Sequence, residues 1–571
     1  MIKEWIDFIR RKTEFLFPKQ NYVEAQAKPT TQKSNNNKTY LIDPSVPSLI
    51  IDQSIPATTV LPVRATGDTG IGGQPLGSIP QQAIGLKQMV NDALIYLNSK
   101  SPKKLTRWAA TGMLNLDPRA GKDINAYYDR SSLRFFFFPD NILKKTIYAC
   151  DSRSVVTHEL GHAVLDILRP DLWSAQAAEI WAYHEAFGDM TALVISMQYE
   201  QIIDKALSEN GGDLYKSNSL TRLAAEMGIG LYHLTGGKGG ENPNCLRDMS
   251  MRFDYVPPEN LPSTGPDNTL INEPHSFSRV FSNMFYRMLL AIADEKKKTG
   301  LTTKAALIAS RDTVIDYLLK ATINAPMTTK FFRAVCQEML LADQRAGSKY
   351  YAIMLKIFQE SKIMTGMIKM LGDLKINDVI QNIKGDYEIE NVNGSKVIRI
   401  LNTKTLKLSD KMGVVACANN PLLNYEVEVA AQAAYYFDSN DKLEAAEEST
   451  QTEAINAALV CLNYLNRKNM VDGSDIALFE IKDNKIVRKQ ISCGCNKPNY
   501  CIPGSPEYQK PWKPANNGGC MSCKHTNCKP RSCDCNPPEP TPAPKIGCYT
   551  NTKSNGIKSY RIGYSTSRRV C

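Results

Sequence analysis

Two short strings constrain this chain more than any other feature: Thr157-His158-Glu159-Leu160-Gly161-His162 and Tyr183-His184-Glu185-Ala186-Phe187-Gly188-Asp189. A helix places residues i and i+4 on one face, so His158 and His162 can grip one metal ion side by side. Glu159 lies beside them, where it can act on a metal-bound water. Neutral imidazoles suit Zn²⁺, and a catalytic zinc needs three protein ligands and one open position. Glu185, 23 positions after His162, is the natural third ligand. A compatible fold must therefore bring a second helix against the first. Asp189, one turn beyond Glu185, can accept the other ring N–H of a ligand histidine and fix its tautomer. His184 points about 100° away from Glu185 on a helix and reads as a packing or supporting residue. The bland alternative is a surface helix with two ordinary histidines. With only 6 His in 571 residues, that spacing is a rare accident.

Length implies two to four domains. Apolar residues make up 43% and charged residues 22%, as in ordinary globular proteins. No apolar run reaches the ~18 residues of a membrane span. The first residues are not a secretory signal, because acids interrupt the apolar stretch. Ile2, Trp5, Ile6 and Ile9 instead fit one face of a short amphipathic helix, docked on its own protein rather than on a membrane.

Charge and cysteine are both concentrated at the C-terminus. Residues 493–571 carry 12 Lys/Arg against 3 Asp/Glu, a net +9 of the chain's +11. Such a tail suits contact with an anionic surface. It shows no aromatic-interleaved nucleic-acid motif, so no nucleic-acid partner is expected. Ten of the 15 Cys lie there: 493, 495, 501, 520, 523, 528, 533, 535, 548 and 571. A Pro- and Gly-rich stretch with few large apolar residues cannot build a core and needs staples. Disulfides are the first reading and structural zinc on the close Cys pairs the second. Disulfides point to an extracellular or cell-surface protein. The missing signal peptide conflicts with that and leaves a cytoplasmic location open. The other five cysteines (150, 245, 336, 417 and 461) read as buried thiols.

The chain divides into an N-terminal helix and linker (1–45), a mixed lobe with the metal-bearing helices (46–272), a helical lobe (273–373), a small α+β domain (374–490) and the tail (491–571). Periodicity predicts helices over 83–100, 154–168 and 177–199, then over 277–293, 303–319 and 330–341. A strand pair is expected within 124–139, and strands at 396–401 and 425–437 precede a helix at 453–466. Residues 537–544 form a polyproline spacer.

Between residues 125 and 359 the chain resembles the thermolysin-like zinc metalloproteases. Five landmarks occur in family order. Asn125-Ala126-Tyr127-Tyr128 looks like the family's substrate-binding edge strand. His158-Glu159-x-x-His162 and His184-Glu185-Ala186-Phe187-Gly188-Asp189 look like its metal segments. Leu246-Arg247-Asp248-Met249-Ser250 and the pair Asp267…His275 follow. The resemblance implies a two-lobed catalytic unit of α+β class, with a mixed β/α N-lobe and an α-helical C-lobe. It implies zinc on His158, His162 and Glu185, Glu159 as general base, and Asp189 orienting His158. Arg247 would contact a substrate carbonyl. His275, oriented by Asp267, would stabilise the oxyanion, and Asn125 and Ala126 would hold the peptide backbone.

The chain also departs from the family. Ser154 and Ser196 stand where the family has carboxylates of a double calcium site, which speaks against calcium there. The family's catalytic tyrosine has no clear counterpart. Tyr183 is too close to Glu185, and Trp173 stands at the comparable distance from His162.

The expected activity is endopeptidase cleavage of protein or peptide substrates. An exopeptidase of the same zinc class would need a pocket for a free terminus, for which no motif is present. A catalytically retired attachment protein would have no need of Glu159.

Overall fold

A computed structural model describes residues 38–46, 50–52, 59–238, 240–262, 264–364, 374–383, 386–400, 403–408, 421–430, 433–448, 451–467, 471–472 and 479–488, with one pair of two-residue strands at 550–551 and 559–560. The expected N-terminal helix, the polyproline spacer and all ten tail cysteines lie outside the described residues. The architecture is mixed α+β. Among the described residues no helix is long and apolar enough to cross a membrane.

The N-terminal half is built on a four-stranded sheet in the order β1 (Val63–Ala65), β2 (Leu114–Asp117), β4 (Ser132–Phe135) and β3 (Ala126–Tyr128). Alternation decides its faces: Leu114, Leu116, Leu133 and Phe135 are buried, while Asn115 and Arg134 are exposed. β3 is the outer strand and pairs only with β4, antiparallel. The single strand pair expected over 124–139 is in fact two hairpins. β5 (Phe137–Asp140) turns away from β3 and pairs with β6 (Lys145–Tyr148). Asp140 enables this by accepting the N–H groups of Ile142 and Leu143 in the turn.

Helix α1 (Ile79–Lys100) covers the sheet. Ser78 caps it by accepting from Gln81 N–H, and Pro80 sits in its first turn, where no donor is lost. Helix α2 (Arg153–Leu168) is capped by Ser152 and stops just before Pro170. Helix α3 (Ala178–Ser196) is buried almost all round, as its uniformly apolar sequence requires.

The second half is helical: α4 (Arg279–Lys297), α5 (Thr303–Asn324), α6 (Phe331–Arg345) and α7 (Tyr351–Glu360). One apolar core runs through both halves, from Leu41 to Met364, and also takes in Ala457.

The described residues within 374–488 form two four-stranded sheets, the short helix Ile376–Asn382 and helix α8 (Gln451–Arg467). One sheet orders Tyr387–Val392, Ser395–Ile400, Ala433–Phe437 and Leu443–Glu448. The other orders Thr403–Lys407, Glu426–Ala430, Lys485–Arg488 and Phe479–Lys482. This α+β unit shares a core with α3. Its core of Leu406, Val427, Leu459, Leu462 and Phe479 also contains Ala178, the first residue of α3.

Candidate metal centre

Helices α2 and α3 pack unusually closely because two glycines meet. A Cβ on Gly161 would lie 2.8 Å from Gly188 Cα, closer than packed atoms allow. This contact sets Glu185 opposite the histidines of α2. Ligand atoms of His158, His162 and Glu185 all lie within 4.8 Å of one another, the one such metal-competent group among the described residues. Nε2 of His158 is 3.4 Å from Glu185 Oε2, and Nε2 of His162 is 3.7 Å from Oε1.

The surrounding groups fix these ligands. Asp189 Oδ1 lies 3.0 Å from Nδ1 of His158. Asp189 is itself held by Arg247, whose Nη2 donates at 2.7 Å, and by the Ser282 hydroxyl at 3.1 Å. Arg247 also lies against His158, with Nη2 3.3 Å from Nδ1. Neither Ser282 nor the glycine pair stands out in the sequence. Only spatial neighbourhood reveals them.

The electrostatics follow from burial and neighbours. Burial opposes charge on His158, but Asp189 and Glu185 prevail and push it up to about 9. Burial, against the opposing pull of Glu185, pushes His162 down to about 3 with His158, His184 and His275 adding to the fall, and pushes His184 down to about 4 with Arg130 adding to it. Burial would raise Glu185, yet His275, His158 and His162 hold it well below the usual carboxylate range. Burial pushes Glu159 up to about 7, with His158 opposing and Glu185 adding to the rise. A carboxyl near neutrality is suited to exchanging a proton.

His275 enters from the segment before α4, with Nε2 3.2 Å from Glu185 Oε2. The expectation that Asp267 orients it is corrected. Nδ1 of His275 is hydrogen-bonded to Glu273, two residues away. The other oxygen of Glu273 accepts from Ser276 N–H at 2.9 Å and so caps the short helical turn. Asp267 instead pairs with Arg279, Oδ1 to Nη1 at 3.1 Å. A loop Asp eight residues away cannot compete with a carboxylate already positioned by that turn. Burial opposes charge on His275, but Glu185 and Glu273 raise its pKa above the ordinary value.

No protein-family model matches this chain, and no match is found among curated proteins.

Several expected features have clear positions. Ala126 starts the outer strand β3, and the Asn125 carbonyl accepts from Phe136 N–H at 3.1 Å. Ser154 Oγ accepts from Ala224 N–H at 2.9 Å and lies 3.1 Å from Ser152 Oγ. It is thus a loop anchor. The Tyr183 hydroxyl is in the core, 2.6 Å from Thr322 Oγ1, away from the centre. Trp173 packs edge-on against His184 at 5.9 Å and Tyr128 at 5.6 Å. Cys150, Cys245, Cys336 and Cys461 are buried free thiols, and Cys417 lies outside the described residues.

Proposed function

We propose that this protein is a zinc-dependent endopeptidase with a two-lobed, thermolysin-like catalytic unit. The observation that carries the reading is the convergence of His158, His162 and Glu185 from two helices, with Glu159 and His275 beside them. The donor set suits zinc: two imidazoles and one carboxylate, leaving a coordination position open. Glu185 Oε2 fits as well, since it is buried, faces two imidazoles and accepts no hydrogen bond. When bound, zinc supplies Lewis acidity and an acidified water.

The chain's own residues do the rest. Glu159 takes a proton from the attacking water and delivers it to the leaving amine. His275, whose protonated form is favoured by Glu185 and Glu273, donates to the oxygen that becomes negative. Such a donor contributes on the order of 3 kcal/mol. Asp189 holds the His158 ring in place, and Arg247 locks Asp189. The outer strand β3 offers free backbone groups to an extended peptide, which favours cleavage within chains over removal of terminal residues.

The test is cleavage of casein or a quenched peptide by the full chain, before and after chelation, with zinc restored. Recovery by zinc is the expected result. Zinc binding without any cleavage would reduce the protein to a binding scaffold, and absence of zinc binding would remove the reading altogether.

A further inference from the structure

Residues 374–488 pack against the metal-bearing helix at its start. Ala178 lies within the core of this unit, and Trp181 packs on that core. Ala178, Trp181 and Glu185 are spaced i, i+3 and i+7, so they lie along one face of α3. The face that ends in the third ligand therefore begins inside the C-terminal unit.

A row of rings makes the connection. Phe479 meets Trp181 edge-on, with centroids 6.3 Å apart. Trp181 meets His184 at 5.8 Å, and His184 meets the ligand His162 at 6.0 Å. Trp173 closes the side, 6.2 Å from Trp181. Each spacing is that of direct ring packing. His184 has a buried Nε2 with no hydrogen-bond partner, and its hydrogen bond is to the backbone of Leu172. Its position between Trp181 and His162 is thus set largely by shape. The unit is also fastened by ion pairs to α6: Arg399 with Glu338, Arg345 with Glu390, and Arg333 with Glu447.

We propose that residues 374–488 are a brace for the metal centre, with Phe479 and Trp181 as positioning residues that press His184 against the ligand His162. This rests on the reading of His158, His162 and Glu185 as a zinc site. Neither residue touches the ligands' donor atoms. They act by removing the free space into which the His162 ring and the first turns of α3 would relax. Outer partners of metal ligands typically govern affinity by about 10–100-fold. A brace one ring further out falls at the low end.

The experiment uses the full chain and two readouts: the zinc Kd by chelator competition, and the visible spectrum of the cobalt-substituted protein. Phe479→Ala is expected to weaken zinc about tenfold and change the cobalt bands. Phe479→Leu, which refills the apolar space, is expected to restore zinc affinity to within about threefold of the parent. A folded Phe479→Ala protein with a lowered melting temperature but an unchanged Kd and cobalt spectrum would overturn the brace. Should Phe479→Ala fail to fold, Trp181→Phe decides: weaker zinc binding supports the brace and an unchanged Kd overturns it. A parent protein that binds no zinc would instead refute the metal reading, whatever the variants do.

Discussion

Gly188 leaves the His158 imidazole so little clearance that a Cβ would lie 2.6 Å from its Nδ1 and Cε1. The same nitrogen faces Asp189 at 3.0 Å. Gly188→Ala should therefore displace the ligand ring. Overpacking of this kind costs about 1–3 kcal/mol. The variant is expected to melt lower and to bind zinc at least tenfold more weakly. Zinc titration followed by a thermal melt checks both, and parent-like values would show that α3 can shift without disturbing His158.

Glu159→Gln is expected to keep zinc and lose activity by about 10²–10⁴-fold or more, because an amide cannot accept the water proton. Metal analysis and peptide turnover on the same preparation decide it. Near-parental turnover would eliminate Glu159 as the base.

Glu273 and Asp267 give a paired test. Glu273→Gln leaves a carbonyl oxygen to cap the turn at Ser276 but removes the charge that faces His275. Turnover is expected to fall by about 10–100-fold, and the alkaline limb of its pH profile should shift to lower pH as His275 loses its proton more readily. Asp267→Asn, which affects Arg279, should alter stability more than that limb. The opposite ranking in the pH profiles would restore Asp267 as the orienting group.

The grouping of His158 and His162 was legible in the sequence because helical spacing makes it so: i and i+4 are neighbours whatever the rest of the chain does. Glu185 and Asp189 followed from the same rule applied one helix later. What could not be read was anything set by contact between distant segments. Glu273 belongs to no motif in the sequence, and the resemblance points to Asp267. Gly161 and Gly188 gave no periodic signal. The strand at Lys145–Tyr148 was hidden because residues 141–147 show no clean alternation, and pairing with Phe137–Asp140 makes it a strand. The boundary near residue 374 showed as a change of texture. That the unit beyond it shares a core with Ala178 did not show, since core sharing is a property of tertiary packing.

Glu447 is fully buried, 3.5 Å from Arg333, and both its oxygens lack a hydrogen-bond partner. Burial pushes it up to about 8 despite Arg333 and Lys330, with Glu179 and Glu453 nearby adding to the rise. The folded state thus holds this proton more tightly than the unfolded chain. The resulting stability is complete below about pH 4.3 and is lost as pH rises through about 8, at no more than about 1.4 kcal/mol per unit. Glu447→Gln should flatten that segment of the curve. Urea midpoints of parent and variant between pH 5 and 8 provide the comparison, and parallel curves would mean Glu447 is already ionised in the folded protein.

Asp166 sits one turn beyond His162 and is gripped from the sheet side. Arg130 contributes two bonds of 2.7 Å, and Tyr128 of the outer strand a third at 3.0 Å. The outer strand with its following turn and helix α2 are therefore bolted together by a buried, two-pronged ion pair, and neither can slide along the other without breaking it. A peptide laid along that strand would meet the reactive centre at a fixed number of residues from its backbone anchor. The frame would act as a ruler, so that cut position within a bound segment is governed by strand register as well as by side-chain preference.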